Sequence, residues 1–225
     1  MKMLGRVLFT IAALAAMLLS GLFSGPTFAN QEIRLLVLGD SLAAGLGLAP
    51  QQAFPARLQA ALAQRGHAVR VINAGVSGDT TAGGLARLDW VLAEKPQAAI
   101  VELGANDGLR GLDVNAMRAN LTAILDRLDE AGVKVLLAGM KAPPNYGAAY
   151  VREYDQAFAA LANDRDVIFY PFFLEGVAAL EDLNQGDRIH PNAKGVDTIV
   201  QNILHITRFG CEFGALCAEW LKVFV

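Results

Sequence analysis

The 225-residue chain reads as an α/β protein, a five-stranded parallel sheet with helices on both faces. Three observations point there. Five short apolar runs alternate with longer segments of helical period. The runs are apolar throughout rather than at every second residue, as expected of strands covered on both sides. Glycine and proline fall at the boundaries between the two patterns.

In order, the first strand is Ile33–Leu38, ended by Gly39, and a helix follows over Ala53–Gln64. Gly66 marks the turn into a second strand, Val69–Asn73, and Thr81–Leu92 has the period of a helix. Pro96 precedes the third strand, Ala98–Leu103. The next helix, Val114–Glu130, stops at Gly132, and the fourth strand, Val133–Ala138, stops at Gly139. Pro143-Pro144 breaks the following loop before a helix over Ala148–Asn163. Val167–Tyr170 is the fifth strand, and a last helix runs from near Asn192 to about Ile206. The connection from Pro171 to Pro191 is the longest without clear period, a length at which loops are often functional.

Residues 1–29 have the features of a cleavable export signal. Lys2 and Arg6 give a positive start, Val7 to Phe23 is apolar, and Thr27-Phe28-Ala29 offers a cleavage point. The apolar run falls short of the roughly 20 residues of a membrane span. The expected organisation is therefore signal peptide 1–29, folded domain 30–207, and an atypical tail 208–225. The tail holds both cysteines, Cys211 and Cys217; in a straight helix they lie too far apart to bridge, so a disulfide would need a bend. The chain carries a formal charge of −3, and loss of the signal removes Lys2 and Arg6 but no acid. A mildly acidic chain without basic clusters argues against nucleic acid or anionic lipid as a partner.

The chemistry-bearing motifs sit at strand ends, so that all converge on one edge of the sheet, where open α/β folds bind ligands. Gly39-Asp40-Ser41-Leu42 follows the first strand, and the run Asn73 to Thr81 follows the second. Gly104-Ala105-Asn106-Asp107-Gly108 follows the third, and Asp187-Arg188-Ile189-His190-Pro191 precedes the last helix. A serine nucleophile needs an imidazole to take its proton and a carboxylate to orient that imidazole. Asp187 and His190 are three residues apart, within reach of each other in a tight turn, which leaves the second ring nitrogen for Ser41. The other two histidines lack such a setting: His67 lies in a turn and His205 in the last helix. An oxyanion needs donors, and the backbone N–H of Ser41, the N–H of side-chain-free Gly75 and the amide of Asn106 can supply them.

This ordered set of blocks resembles the GDSL, or SGNH, hydrolase family over residues 33–206. Asn73 to Thr81 with Gly83-Gly84-Leu85-Ala86-Arg87-Leu88, Asn106 to Gly111, and His190-Pro191-Asn192-Ala193-Lys194-Gly195 are similar to its bacterial periplasmic branch of acyl-thioesterases, lysophospholipases and arylesterases. The resemblance implies a flavodoxin-like three-layer α/β/α sandwich. It implies Ser41 as nucleophile and oxyanion donor, Gly75 and Asn106 completing the hole, Asp187 and His190 finishing the triad, and Asp40 shaping the nucleophile turn. It also implies a mobile Asp107–Gly111 segment over the acyl chain. Ala105 departs from the branch, which often has glycine there, and the tail is unlike the usual family ending.

Asp40, Leu42, Leu109, Met140, Pro143 and Tyr146 are the candidate substrate-binding residues, with Phe172 as a further apolar candidate. Their apolar character favours an acyl ester or thioester over a sugar. No metal or organic cofactor is required, and a monomer acting in the periplasm or outside the cell is expected. Two other chemistries compete. A carbohydrate O-deacetylase would use the same triad, and a metal-dependent phosphoesterase would use Asp40, Asp79, Asp107, Asp187 and His190 as ligands. A non-catalytic binding protein is the third alternative.

Overall fold

The computed structural model describes residues 32–209; the signal-like segment, the tail from 210 and its two cysteines lie outside these residues. All five apolar runs form strands of one parallel sheet: β1 (Ile33–Gly39), β2 (Val69–Gly75), β3 (Ala98–Glu102), β4 (Lys134–Ala138) and β5 (Ile168–Tyr170), in the order β2-β1-β3-β4-β5. β3 is buried along its whole length, as is β1 from Leu35 and β4 from Val135. β2, at one edge, is buried only at Val69 and Ala74.

Eight helices accompany the sheet among the described residues: α1 (Ser41–Ala44), α2 (Phe54–Gln64), α3 (Thr81–Ala86), α4 (Leu88–Leu92), α5 (Ala105–Leu109), α6 (Val114–Glu130), α7 (Ala148–Asn163) and α8 (Ala193–Phe209). α2 packs on β2 and α8, while α6 packs on α3 and α7, which gives the helix–sheet–helix layering. Among the described residues no helix is long and apolar enough to cross a membrane. Leu58 and Leu62 of α2, Leu121 and Ile124 of α6, and Tyr154 and Phe158 of α7 are buried. Each such large side chain contributes about 1.5–3 kcal/mol through removal from water.

Two differences from the sequence reading have local causes. The expected helix Thr81–Leu92 breaks at Arg87 (φ −105°, ψ 5°). There the guanidinium turns inward, with Nε donating to Asp79 Oδ2 at 2.7 Å and Nη2 to the Gly39 carbonyl at 2.9 Å. Gly83 and Gly84 earlier in the same segment weaken its helical preference. The short α1 and α5 had no periodic signal because neither completes two turns.

The unpatterned Pro171–Pro191 connection is held from within. Phe173 packs edge-on against Phe54 of α2, with ring centroids 5.1 Å apart. The buried Asn184 side chain donates to the carbonyls of Val177 and Leu180, and Asn184 bridges to Pro191. This closes a small loop that presents residues 185–190 at the sheet edge.

Gly75, opposite Gly39 in the β1–β2 ladder, is required by close approach. A Cβ there would lie 2.2 Å from the amide nitrogen of Ala44 in α1. Gly75→Ala is therefore expected to destabilise the fold by about 1–3 kcal/mol and to displace the turn carrying Ser41. Urea unfolding read beside turnover checks this, and a variant of unchanged midpoint would count against the packing argument.

Candidate active site

β1 ends at Gly39, and Asp40 caps the four-residue α1: its Oδ1 accepts the N–H of Leu42 at 3.0 Å. Gly45, in the left-handed region (φ 79°), ends that helix, so Ser41 stands on a tight strand-to-helix turn. Ser41 Oγ lies 2.9 Å from His190 Nε2, and His190 Nδ1 lies 2.6 Å from Asp187 Oδ2. The other carboxylate oxygen, Asp187 Oδ1, accepts the N–H groups of Ile189 and His190, each at 3.0 Å. The N–H groups of His190 and Ile189, then the imidazole, hold the Asp187 carboxyl down to about 2. An ionised carboxylate only accepts, so the imidazole keeps its proton on Nδ1 and turns a bare Nε2 to the serine hydroxyl.

Asp40 is buried, and its second oxygen, Oδ2, accepts from Asn106 Nδ2 at 3.0 Å. That contact fixes which edge of the Asn106 amide is the donor and leaves one N–H of that nitrogen for the cavity. Burial pushes the Asp40 carboxyl up to about 6, against the opposing pull of the Leu42 N–H, Asn106 and His190. Asp40 is among the residues lining the cavity, at its buried floor, where it also orients the turn and Asn106.

The N–H of Gly75 donates to Asn73 Oδ1 at 2.9 Å, an Asx-type turn at the strand end, so in this structure the expected oxyanion donor is engaged. Ser41 N–H, by contrast, makes no hydrogen bond among the described residues.

Beside Ser41 opens a cavity of about 510 Å³, ample for an extended organic ligand. Leu42, Leu109, Met140 and Pro143 line it, with Asn106 and His190 at its polar end. Tyr146 does not. Its hydroxyl donates to the Leu109 carbonyl at 3.0 Å and its ring sits over Gly111 and beside Tyr150, so it braces α5 from behind. Phe172 lines the cavity as expected, while Leu174, Ala178 and Ile189 are further wall residues that no pattern announced. They come from the connection without period. The Asp107–Gly111 segment opens in α5, which ends at Leu109. Buried Asp107 accepts from Thr81 N and Oγ1, and Arg110 donates to the Gly78 carbonyl.

The carboxylates weighed as metal ligands are engaged separately. Asp79 pairs with Arg87, Asp107 with Thr81, and Asp187 with His190. Among the described residues no three His, Cys, Asp or Glu side chains gather closely enough to hold an ion.

The chain is similar to proteins of known class. The pattern of the GDSL-like Lipase/Acylhydrolase family matches residues 37–197. Esterase TesA of Pseudomonas aeruginosa is 42% identical over 191 residues, covering 84% of this chain and 95% of that protein. Thioesterase 1/protease 1/lysophospholipase L1 of Escherichia coli K12 is 40% identical over 159 residues, 70% of this chain and 75% of that one. Among solved structures, AlinE4, an SGNH-hydrolase family esterase, superposes with a TM-score of 0.68 at 46% identity, covering 82% of this chain and 98% of its own. With a parallel sheet of order β2-β1-β3-β4-β5, a Gly-Asp-Ser-Leu turn at the end of β1 and a match along most of its length, the chain belongs to the GDSL-like lipase/acylhydrolase family.

Proposed function

We propose that this hydrolase cleaves esters and thioesters of acyl chains through a covalent acyl-enzyme, as a monomer acting after export. The observation that carries the reading is the unbroken contact from Asp187 through His190 to Ser41 at the polar end of an apolar cavity. Ser41 Oγ attacks the acyl carbonyl while His190 Nε2 takes its proton. The oxyanion accepts from Ser41 N–H and Asn106 Nδ2. Gly75 N–H joins as the third donor once Asn73 Oδ1 yields it, since a charged oxyanion is roughly twice as strong an acceptor as a neutral amide. His190 then protonates the leaving alcohol or thiol, and repeats the cycle with water to release the acid. The signal-like residues 1–29 support export.

The walls argue for a hydrocarbon chain. Leu109, Met140, Pro143 and Phe172 offer no hydrogen-bonding side chain for a sugar. Each methylene buried in the cavity is worth about 0.8 kcal/mol, so kcat/KM is expected to rise roughly fourfold per methylene until the cavity is filled. A p-nitrophenyl ester series from acetyl to long acyl checks this. A profile highest for acetyl and falling thereafter would favour the carbohydrate O-deacetylase reading.

A further inference from the structure

Glu102 closes β3, a strand whose other residues are Ala98, Ala99, Ile100 and Val101. It is fully buried and pairs in register with Gly39, the residue before the nucleophile turn. Its Oε2 accepts the N–H of Asp40 at 3.3 Å, and the N–H of Ala43 faces the same carboxyl. A Cβ on Gly39 would sit 2.5 Å from that same Oε2, so the glycine leaves room for the carboxyl.

The backbone donors of the turn divide in a definite way. Asp40 N–H goes to Glu102. Leu42 N–H goes to the Asp40 side chain, Ala44 N–H to the Asp40 carbonyl and Gly45 N–H to the Ser41 carbonyl. In the run 40–45, Ser41 N–H is the donor beside the catalytic hydroxyl, and it makes no hydrogen bond among the described residues. We propose that Glu102 is a positioning residue for the oxyanion hole. By taking the N–H of Asp40, the residue immediately before Ser41, it sets the start of α1 and aims the Ser41 N–H at the substrate carbonyl. This rests on the serine mechanism proposed above.

The chemistry needs an acceptor at this place, not a charge. Glu102 Oε1 has no hydrogen-bond partner among the described residues, an arrangement far more tolerable for a neutral acid than for an ion. Burial, and then the Asp40 charge, push the carboxyl well above its ordinary range, consistent with a neutral acid.

The experiment compares Glu102→Gln, which keeps an acceptor oxygen of the same reach, with Glu102→Met, which keeps the length without it. Glu102→Asp, which withdraws the acceptor, stands in should Glu102→Met not fold. Active sites are counted with a p-nitrophenyl phosphonate that labels Ser41, and affinity is measured for a trifluoromethyl ketone that forms a tetrahedral adduct. The expected result is a loss of about 10²–10³ in kcat for Glu102→Met or Glu102→Asp at nearly constant KM. Ketone affinity should fall in parallel, and Glu102→Gln should return to within about tenfold of wild type. A purely structural role would instead lower the titratable fraction while leaving kcat per labelled site unchanged, and that outcome overturns the proposal. So does a Glu102→Gln loss as deep as that of Glu102→Met, which would mean that the acid itself is required. Wild-type protein in which Ser41 takes no phosphonate would bring down the serine mechanism, a failure separate from the other two.

Discussion

Ser41→Ala is expected to lower kcat by roughly 10⁶-fold, the scale at which the whole relay is lost once its nucleophile is gone. The structure makes this a clean substitution. Ser41 is half-buried and its Oγ bonds only to His190 Nε2, at 2.9 Å, so removing it leaves the cap on Leu42, the Gly45 turn and the sheet intact. Stability should move by no more than about 1 kcal/mol, the net worth of one hydrogen bond. Substrate should still bind, because the apolar walls are untouched. The measurement is p-nitrophenyl ester turnover with chelator present. Activity that survives Ser41→Ala but not chelation would overturn the covalent mechanism in favour of metal chemistry.

Asp40→Asn is expected to lose about 10²–10³ in kcat, through the donors that its carboxylate holds in place. Its two carboxylate oxygens serve two donors, Leu42 N–H and Asn106 Nδ2. An amide in its place has one acceptor oxygen and so faces a donor with a donor, at the cap or at Asn106. If the cap is kept, the Asn106 side chain must turn and the oxyanion loses that N–H. Protonation of the native carboxyl has the same consequence, so Asp40 adds its own acid limb to the rate profile near pH 6.

The stability effect has the opposite sense. The folded carboxyl, raised from 3.8 to about 6, holds its proton more tightly than the unfolded chain does. Wild-type stability therefore falls as pH rises from about 4 to about 6, by on the order of 2–3 kcal/mol, and Asp40→Asn should lack that slope. Urea unfolding from pH 4 to 8, read beside kcat, checks both halves. Turnover within a few-fold of wild type would remove Asp40 from the orientation of Asn106.

What was legible in the sequence was local or periodic. The strands were readable because a doubly covered sheet demands unbroken apolar runs, and α6 and α7 lie where the helical period put them. Asp187 and His190 were readable as a pair because three residues suffice to bring one onto the other. The Asp40–Asn106 and Asp40–Glu102 contacts were not, since each joins residues more than 60 positions apart on neighbouring strand ends. No pattern distinguishes a functional acid at the end of an apolar strand from a strand simply running out into solvent. Tyr146 was misplaced for a related reason: an aromatic near a cavity can face it or back the segment that does, and only the hydroxyl contact to Leu109 decides. The break at Arg87 also depends on a distant partner, the carbonyl of Gly39.

The loop from Asn184 to Pro191 has a bearing on how the protein fails under stress. The acid and base within it are a self-contained cassette, tied by the Asn184–Pro191 bridge, by Gln185 N–H to the His190 carbonyl and by three bonds to one carboxylate. The nucleophile belongs to a different part of the chain, and its contact with that cassette spans 149 positions. On warming, lifting of the cassette from the sheet edge would break the Ser41–His190 contact and the Gln185 Nε2 bond to the Leu46 carbonyl, while leaving the cassette's own bonds unbroken. Inactivation would then run ahead of global melting and reverse on cooling, the signature of parts separated rather than parts destroyed.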